Sequence, residues 1–340
     1  MKILIAITGI PPFCGGAEQV AWETAVRLSK YKDFEIHILT LGNNPLEVKE
    51  NIKIHYIPRK PLGTIYYSTI GLGMINSLLS KEKFDIIHSH MVLPFGFIFR
   101  NYKGIKIITC HGSDVYKTKF YEFLFTRMAL RKSDFVTTVS EYFKNFIEKK
   151  WKVKSLVIPN GVDLTNFFPR NFDRKPNSIL FVGRFNQNKG IKQLLKAAKE
   201  LKDYEFYFVG KGKLDYLIKG KNIFNLGFKN HSELPLIYSS YEISVFPSDF
   251  ESFGLVALES MACGTPVIVT PIGFSDFVTN NNGIIISSND YLTIKKTILN
   301  TFLNKSKLNI LSKSGIETSR KFSWENVIQE YYNLYQLKYK

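Results

Sequence analysis

"KILIAITG" (residues 2–9), "AEQVAWETAVRLSKY" (17–31) and "FEIHILTL" (34–41) follow one another at the start of the chain. The first and third are short apolar runs of strand length. The middle one repeats its apolar residues at helical spacing. The same alternation continues through "FDIIHSH" (84–90), "KIITCHGSD" (106–114), "DFVTTVS" (134–140) and "SLVIPNGVD" (155–163). It resumes with "SILFVGRF" (178–185), "GIKQLLKAAKELKD" (190–203), "YEFYFVGKG" (204–212), "IFNLGF" (223–228), "ISVFPSD" (243–249), "TPVIVT" (265–270) and "GIIIS" (283–287). Strands alternating with helices over this length predict an α/β fold of parallel sheets with helices on both faces.

A chain of 340 residues exceeds the usual size of a single core, so two domains are expected. The stretch "DLTNFFPRNFDRKPNS" (163–178) carries two prolines and little periodicity, and reads as the linker between two similar halves. A hydrophobic content of 45% excludes wholesale disorder. No apolar run approaches the roughly 20 residues of a membrane span. "MKILIAITGIPPF" is too short for a secretory signal and reads as a buried first strand. Cys14, Cys110 and Cys263 show neither paired nor metal-type spacing, which suits a reducing cytoplasm.

The formal net charge of +17 has two readings. One is compositional bias. The other is an anionic partner: a negatively charged substrate, a membrane surface or nucleic acid. The excess has a local focus, because Lys117 to Lys154 hold ten Lys/Arg against four Asp/Glu. Within it, "KFYEFLFTRMALRK" (119–132) reads either as a core helix with a solvated basic edge or as a membrane-surface docking face. Nucleic acid is the weakest partner, since it needs exposed aromatics among the basic residues and the aromatics here mostly fall at core-like positions.

Ligands of doubly wound sheets bind outside the carboxyl ends of the strands. Polar residues collect at those ends in both halves. His88 and His90 close one run, His111-Gly112-Ser113-Asp114 another and Asn160-Gly161-Val162-Asp163 a third; Gly183-Arg184, Gly210 and the segment before Glu251 follow. So many polar strand ends predict a cleft between two domains. Gly15-Gly16, between the first strand and the first helix, either admits an anion to the helix N-terminus or makes a plain tight turn. The dinucleotide fingerprint G-x-G-x-x-G is absent: "VGKGKLD" offers only Gly210 and Gly212. No G-x-x-x-x-G-K-[ST] loop exists either, which disfavours nicotinamide enzymes and P-loop ATPases. Arg184 and Lys189 in "FVGRFNQNKG" form either a diphosphate clamp or two solvated loop cations.

Two glutamates stand eight positions apart in "DFESFGLVALESMACGTPVIVT" (249–270). A helix capped by Ser252 and starting near Phe253, ended by Gly264 and Pro266, leaves Glu251 in the preceding loop and Glu259 within the helix. On one continuous helix the two carboxylates would point about 80° apart and lie about 12 Å apart along the axis. They make a poor acid/base pair, but can hold separate parts of one long ligand with the helix N-terminus between them.

These residues resemble the retaining glycosyltransferases of family four, which have the GT-B architecture of two facing Rossmann-like domains. The resemblance covers nearly the whole chain. It is carried by the "GG" at 15–16, by "PNGVD" and "VGRFNQNKG", by "FPSDFESFGLVALESMACGTPVIVT" with its two glutamates separated by seven residues, and by "FSWENVIQEYYNLY". It implies an N-terminal domain over 1–165 on the acceptor side and a donor domain over 166–322. A closing helix, 323–338, would cross back onto the first domain.

The resemblance also implies roles. Glu251 would sit against the donor sugar near the reacting carbon, as nucleophile or as electrostatic stabiliser. His111 would contact the sugar from the opposite domain. Glu259 would bind the donor ribose, while Arg184 and Lys189 would neutralise the departing diphosphate. Backbone N–H groups of Phe253, Gly254 and Leu255 would cradle sugar and phosphate. Phe228 and Lys229 would lie at the base, and Gly16 would bring the first loop to the donor phosphate. Gly15, His90, Ser113 and Asp114 are acceptor-side candidates. Asp276 stands where the family usually has a glutamate.

Preplaced cations would each stabilise the leaving diphosphate by roughly 3–4 kcal/mol. That removes the need for a divalent metal, and no D-x-D pair is present. The expected protein is a metal-independent, retaining hexosyltransferase without a cofactor. Its donor would be a UDP- or GDP-linked sugar and its acceptor a carbohydrate or lipid-linked glycan. Such an enzyme would serve cell-surface glycan or glycolipid synthesis from the cytoplasm or the cytoplasmic membrane face. The rivals are a sugar-nucleotide 2-epimerase of the same fold and a non-catalytic nucleotide-sugar-binding subunit.

Overall fold

The computed structural model describes residues 1–11, 15–42, 52–58, 70–116, 118–170 and 173–337. Cys14 and the Ser113 side chain lie outside what it describes. The chain divides into two compact units, Met1–Pro159 with Val327–Lys340, and Asn160–Asn326.

In the first unit, β1 (Lys2–Ala6), β2 (Glu35–Leu41), β3 (Ile52–Ile57), β4 (Ile86–His90), β5 (Ile105–Cys110), β6 (Phe135–Thr138) and β7 (Leu156–Val157) form a seven-stranded sheet. All pairs are parallel and the order is β3-β2-β1-β4-β5-β6-β7. Ile5 of β1 lies opposite Ile38 on one side and His88 on the other. β1 is buried from Ile3 to Ala6 and β4 along its whole length, as continuous apolar runs covered on both faces require. The helix Gly16–Leu28 buries Val20, Ala21, Thr24, Ala25 and Leu28, one helical stripe.

The second unit repeats the plan. β8 (Lys175–Val182), β9 (Glu205–Val209), β10 (Ile223–Asn225), β11 (Tyr241–Phe246), β12 (Val267–Val269) and β13 (Ile284–Ile285) form a parallel six-stranded sheet. Its order is β10-β9-β8-β11-β12-β13. Both sheets follow the doubly wound 3-2-1-4-5-6 arrangement. Phe181, Phe206, Phe208, Ile243 and Val245 build the core with Leu194 and Ala198 of the helix Ile191–Glu200.

Residues 163–178 are not the linker that their prolines suggested. Lys175–Ser178 open β8, and Pro176 is accommodated in its exposed beginning, before burial sets in at Ser178. Upstream, Phe167 is 1% exposed and packs on His231 and Tyr238, ring centroids 4.9 and 6.3 Å away. The closing helix, Trp324–Gln336, has its first turn in the second unit and its remainder in the first.

The helix Phe120–Lys132 departs from the expectation that the aromatics are core residues. Phe120 is 88% exposed, Leu124 53% and Met128 47%.

Candidate functional site

The strand order of the second sheet reverses between β8 and β11, where a doubly wound fold takes its ligand. β8 leads into Gly183-Arg184, and β11 into Pro247-Ser248. The loops that follow are tied together. The Asp249 N–H donates to the Asn188 carbonyl over 2.9 Å. Gly190 has φ +66°, and a Cβ there would lie 1.9 Å from the Pro247 carbonyl oxygen. Only glycine permits that approach. It brings the short turn Gln187–Lys189 against the loop after β11, where Lys189 pairs with Glu251. Their side chains are 19% and 23% exposed, so the pair is largely shielded from water and salt. Arg184 is exposed and has no ion-pair partner among the described residues.

The helix after Glu251 runs over Leu255–Ala262 and is capped by Gly254. The expected Ser252 cap and start at Phe253 are therefore displaced. Gly254 turns the chain at φ +97°, a left-handed value at which a serine would be strained, and a Cβ there would meet the Glu251 Cγ at 3.2 Å. Gly264 follows the helix with φ +75°, as the sequence suggested. Phe253 is buried against Phe274, ring centroids 5.3 Å apart, and Phe274 against Phe322 at 5.6 Å. This aromatic backing fixes the loop that carries Glu251. A concavity here is lined by Ser248, Glu251, Phe253, Gly254 and Thr270, with apolar walls from Val256 and Ile272.

Glu259 is buried within the helix. Its Oε1 faces His231 Nε2 at 2.9 Å, and its Oε2 accepts from the Tyr238 hydroxyl at 3.0 Å. Burial and the neighbouring carboxylate hold the Tyr238 phenol well above its ordinary pKa, so it stays a donor. Phe228 projects into solvent at the turn after β10, with the Lys211 ammonium 4.5 Å from its ring centroid. Lys229 lies 3.9 Å from Glu233. Asp276 belongs to the short turn Gly273–Phe277.

In the first unit the corresponding reversal lies between β1 and β4. The Thr8 hydroxyl, after β1, donates to Glu18 Oε1 at 2.9 Å and contacts Met91 Sδ, after β4, at 3.5 Å. Gly15 caps the helix Gly16–Leu28 without a side-chain hydrogen bond, and the Glu18 carboxylate folds back beside it. A side-chain carboxylate thus occupies the electropositive helix start where an anion was expected.

At the ends of β4 and β5, His90 Nδ1 and His111 Nε2 lie 3.1 Å apart. The half-buried His111 is lowered by burial to about 4. Buried His88 is held to about 3 by burial and by His111, and bonds Tyr335 and Thr109 at 2.6 and 2.7 Å. The three histidines are neutral near pH 7. Asp114 accepts from the Gly112 N–H at 2.8 Å and the Val92 N–H at 3.3 Å. Burial nevertheless raises it to about 6.

The structure thus joins Lys189, Glu251, Phe253, Gly254 and Leu255 in one loop cluster, and His90, His111 and Asp114 in another. Lys211, His231 and Tyr238 were missed in the sequence. Lys211 lay in "VGKG", legible only as a failed dinucleotide motif. His231 and Tyr238 become neighbours of Glu259 through tertiary packing that no local spacing signals.

The comparisons agree with this architecture. The family described as Glycosyl transferases group 1 matches residues 163–318, and that described as Glycosyltransferase Family 4 matches residues 14–166. An uncharacterized glycosyltransferase of Methanocaldococcus jannaschii is 32% identical over 344 residues, 96% of this chain and 95% of the relative. The UDP-Gal:alpha-D-GlcNAc-diphosphoundecaprenol alpha-1,3-galactosyltransferase of Escherichia coli is 27% identical, with 92% of this chain and 91% of the relative covered. Sucrose-phosphate synthase from Thermosynechococcus elongatus superposes with a TM-score of 0.87 at 21% identity, covering 99% of each chain.

Two doubly wound parallel sheets define a two-unit α/β fold of the GT-B type. The chain belongs to the family 4, group 1 glycosyltransferases, and is a glycosyltransferase.

Proposed function

We propose that this enzyme moves a hexose from a nucleotide-sugar donor to a lipid-linked glycan, with retention at the sugar carbon and without a divalent metal. The observation that carries the donor reading is the Lys189–Glu251 pair at the strand-order reversal of the second sheet, with Arg184 exposed at the end of β8. A nucleoside diphosphate develops negative charge as it leaves, and Lys189, held at the strand-order reversal, and the exposed Arg184 supply cations to meet that charge. Glu251, released from Lys189 as the diphosphate takes the ammonium, is left to face the sugar and its developing positive charge. Phe253, Gly254 and Leu255 supply backbone N–H groups at the helix start. Glu259 takes the ribose hydroxyls. Phe228 offers a flat exposed ring to the base, with Lys229 beside it.

In this reading the first unit serves the acceptor and the sugar. Gly15 and Gly16 open the first loop, and neutral His111 accepts or donates a single hydrogen bond without competing charge. His90, an acceptor-side candidate in the sequence, is buried behind it at 3.1 Å and positions the His111 ring rather than meeting the acceptor. Asp114 fixes the loop after β5 through the Gly112 N–H. The Escherichia coli relative's name, with a UDP-linked donor and a diphosphoundecaprenol acceptor, supports both substrate classes.

The test is donor binding followed by product analysis. UDP- and GDP-sugars are screened by thermal shift, because a ligand that binds only the folded state raises its melting point. The bound sugar is then offered to a polyprenyl-diphosphate glycan, and the anomer of the product and the effect of EDTA are read. Absence of any nucleotide-dependent shift overturns the donor reading. An inverted product overturns retention, loss of activity in EDTA overturns metal independence, and release of a free epimer without acceptor identifies a different reaction.

A further inference from the structure

The helix Phe120–Lys132 presents Phe120, Leu124 and Met128 at intervals of four, which places them along one face. All three are exposed, Phe120 at 88%, while Phe123, Thr126, Ala129 and Leu130 form the inward stripe. Large apolar side chains in an exposed row on one helix are not explained by packing within the unit. The row is flanked by the exposed Lys119, Arg127, Arg131 and Lys132. Its one acid, Glu122, is engaged at the helix start, where its carboxylate accepts from the Lys119 N–H at 2.9 Å. Beside the row, Phe125 touches Phe97 with centroids 4.7 Å apart, and the Arg100 guanidinium stacks on Phe97 at 3.9 Å. The surface is therefore an apolar ridge in a cationic border.

We infer that this face docks the enzyme on an anionic lipid bilayer, with Phe120, Leu124 and Met128 entering the acyl boundary and the arginines and lysines meeting headgroup phosphates. Charge decides the occupant. A second copy placed on the same face by two-fold symmetry would set this basic border against itself. A bilayer carrying acidic lipids complements both the ridge and the border. Among the described residues no helix is long and apolar enough to cross a membrane. The inference takes its purpose from the lipid-linked acceptor proposed above, but its test needs neither donor nor acceptor.

The full chain is sedimented with vesicles of phosphatidylcholine alone and of phosphatidylcholine with phosphatidylglycerol. Binding is expected only with the acidic lipid, and weaker as salt rises. The variant Phe120→Ser/Leu124→Ser/Met128→Ser is expected to lose binding about tenfold or more. Each of Arg127→Glu and Arg131→Glu is expected to lose roughly fivefold or more. Stabilisation by a nucleotide-sugar should be the same in all of them, because none belongs to the donor cluster. Leu124→Trp gives a second readout that preserves an apolar helix: the emission of the introduced indole should shift to the blue with acidic vesicles. Three results overturn the inference: wild-type binding that ignores phosphatidylglycerol, a triple variant that binds like wild type, or an indole emission that acidic vesicles leave unshifted. So does a dimer in ultracentrifugation that the triple variant abolishes while vesicles remain unbound. If vesicles bind but no nucleotide-sugar stabilises the chain, docking stands and the donor reading falls.

Discussion

His231 Nε2 lies 2.9 Å from Oε1 of Glu259, so a half-exposed ring clamps a carboxylate that is otherwise buried. The Tyr238 hydroxyl holds the other oxygen, and Phe167 packs on both rings. The helix carrying Glu259 alone does not determine where its carboxylate points; these side chains do. If Glu259 binds the donor ribose, His231 and Tyr238 act by positioning it. His231→Ala and Tyr238→Phe should each raise the donor KM about fivefold to tenfold, the worth of roughly one hydrogen bond, with kcat little changed. A fall in kcat at constant KM would place Glu259 in the chemical step instead.

The Lys189–Glu251 pair separates binding from catalysis. Glu251→Gln removes the charge that competes with the diphosphate for Lys189. Donor affinity, measured by calorimetry, should hold or tighten, while transfer falls about 100-fold or more. Lys189→Met should do the reverse to affinity. It also strands a mostly buried carboxylate, and should lower stability by about 1–2 kcal/mol, below the range for fully buried pairs because both groups keep some water. Equal loss of affinity in both variants would show that the pair is only structural.

Gly190 makes a close backbone approach in the donor cluster. In Gly190→Ala the new methyl meets the Pro247 carbonyl at 1.9 Å in a backbone conformation that alanine avoids. The loops must part, at a cost on the order of 3 kcal/mol from strain and overpacking together. Denaturant unfolding should show that loss, and donor affinity should fall with it because Lys189 moves away from Glu251. An alanine variant of wild-type stability would mean that the loop has a second accessible packing.

Much of this architecture was legible in the residues. Strand-helix alternation reads directly from period, and the doubly wound order then decides which strand ends meet. Period left Arg184 and Lys189 as either a clamp or two solvated loop cations; it was the family resemblance that made them, with Glu251, candidates for one ligand. The local errors have physical causes. Ser252 has the chemistry of a helix cap, but Gly254, two residues on, supplies a backbone angle that Ser252 could not. Residues 163–178 look like a linker because Phe167 is a single apolar anchor without a period. On the helix Phe120–Lys132, the rows at 120/124/128 and at 123/126/130 both satisfy helical spacing, and periodicity cannot say which row faces water. The His231–Glu259 contact joins a turn to a helix across 28 residues, and no spacing rule encodes it.

Acid should destabilise the first unit chiefly through its buried histidines. His88 is fully buried and lowered to about 3, and His90 is lowered well below its ordinary value, both chiefly by burial. Their folded forms are neutral, whereas in the unfolded chain they take up protons below about pH 6.5. The unfolded state therefore binds more protons below about pH 6.5, and stability falls with pH, for His88 down toward pH 3 and by on the order of a few kcal/mol, with His90 acting in the same direction. Asp114 opposes the trend: raised to about 6, it binds its proton in the folded state before the unfolded one does, so its protonation stabilises the fold between about pH 6 and 4. Two buried histidines outweigh one half-buried acid. The melting temperature should therefore drop steadily between pH 6.5 and 4, and Asp114→Asn, which removes the opposing uptake, should steepen that drop. A melting temperature flat over this range would mean that His88 and His90 reach water in the folded protein.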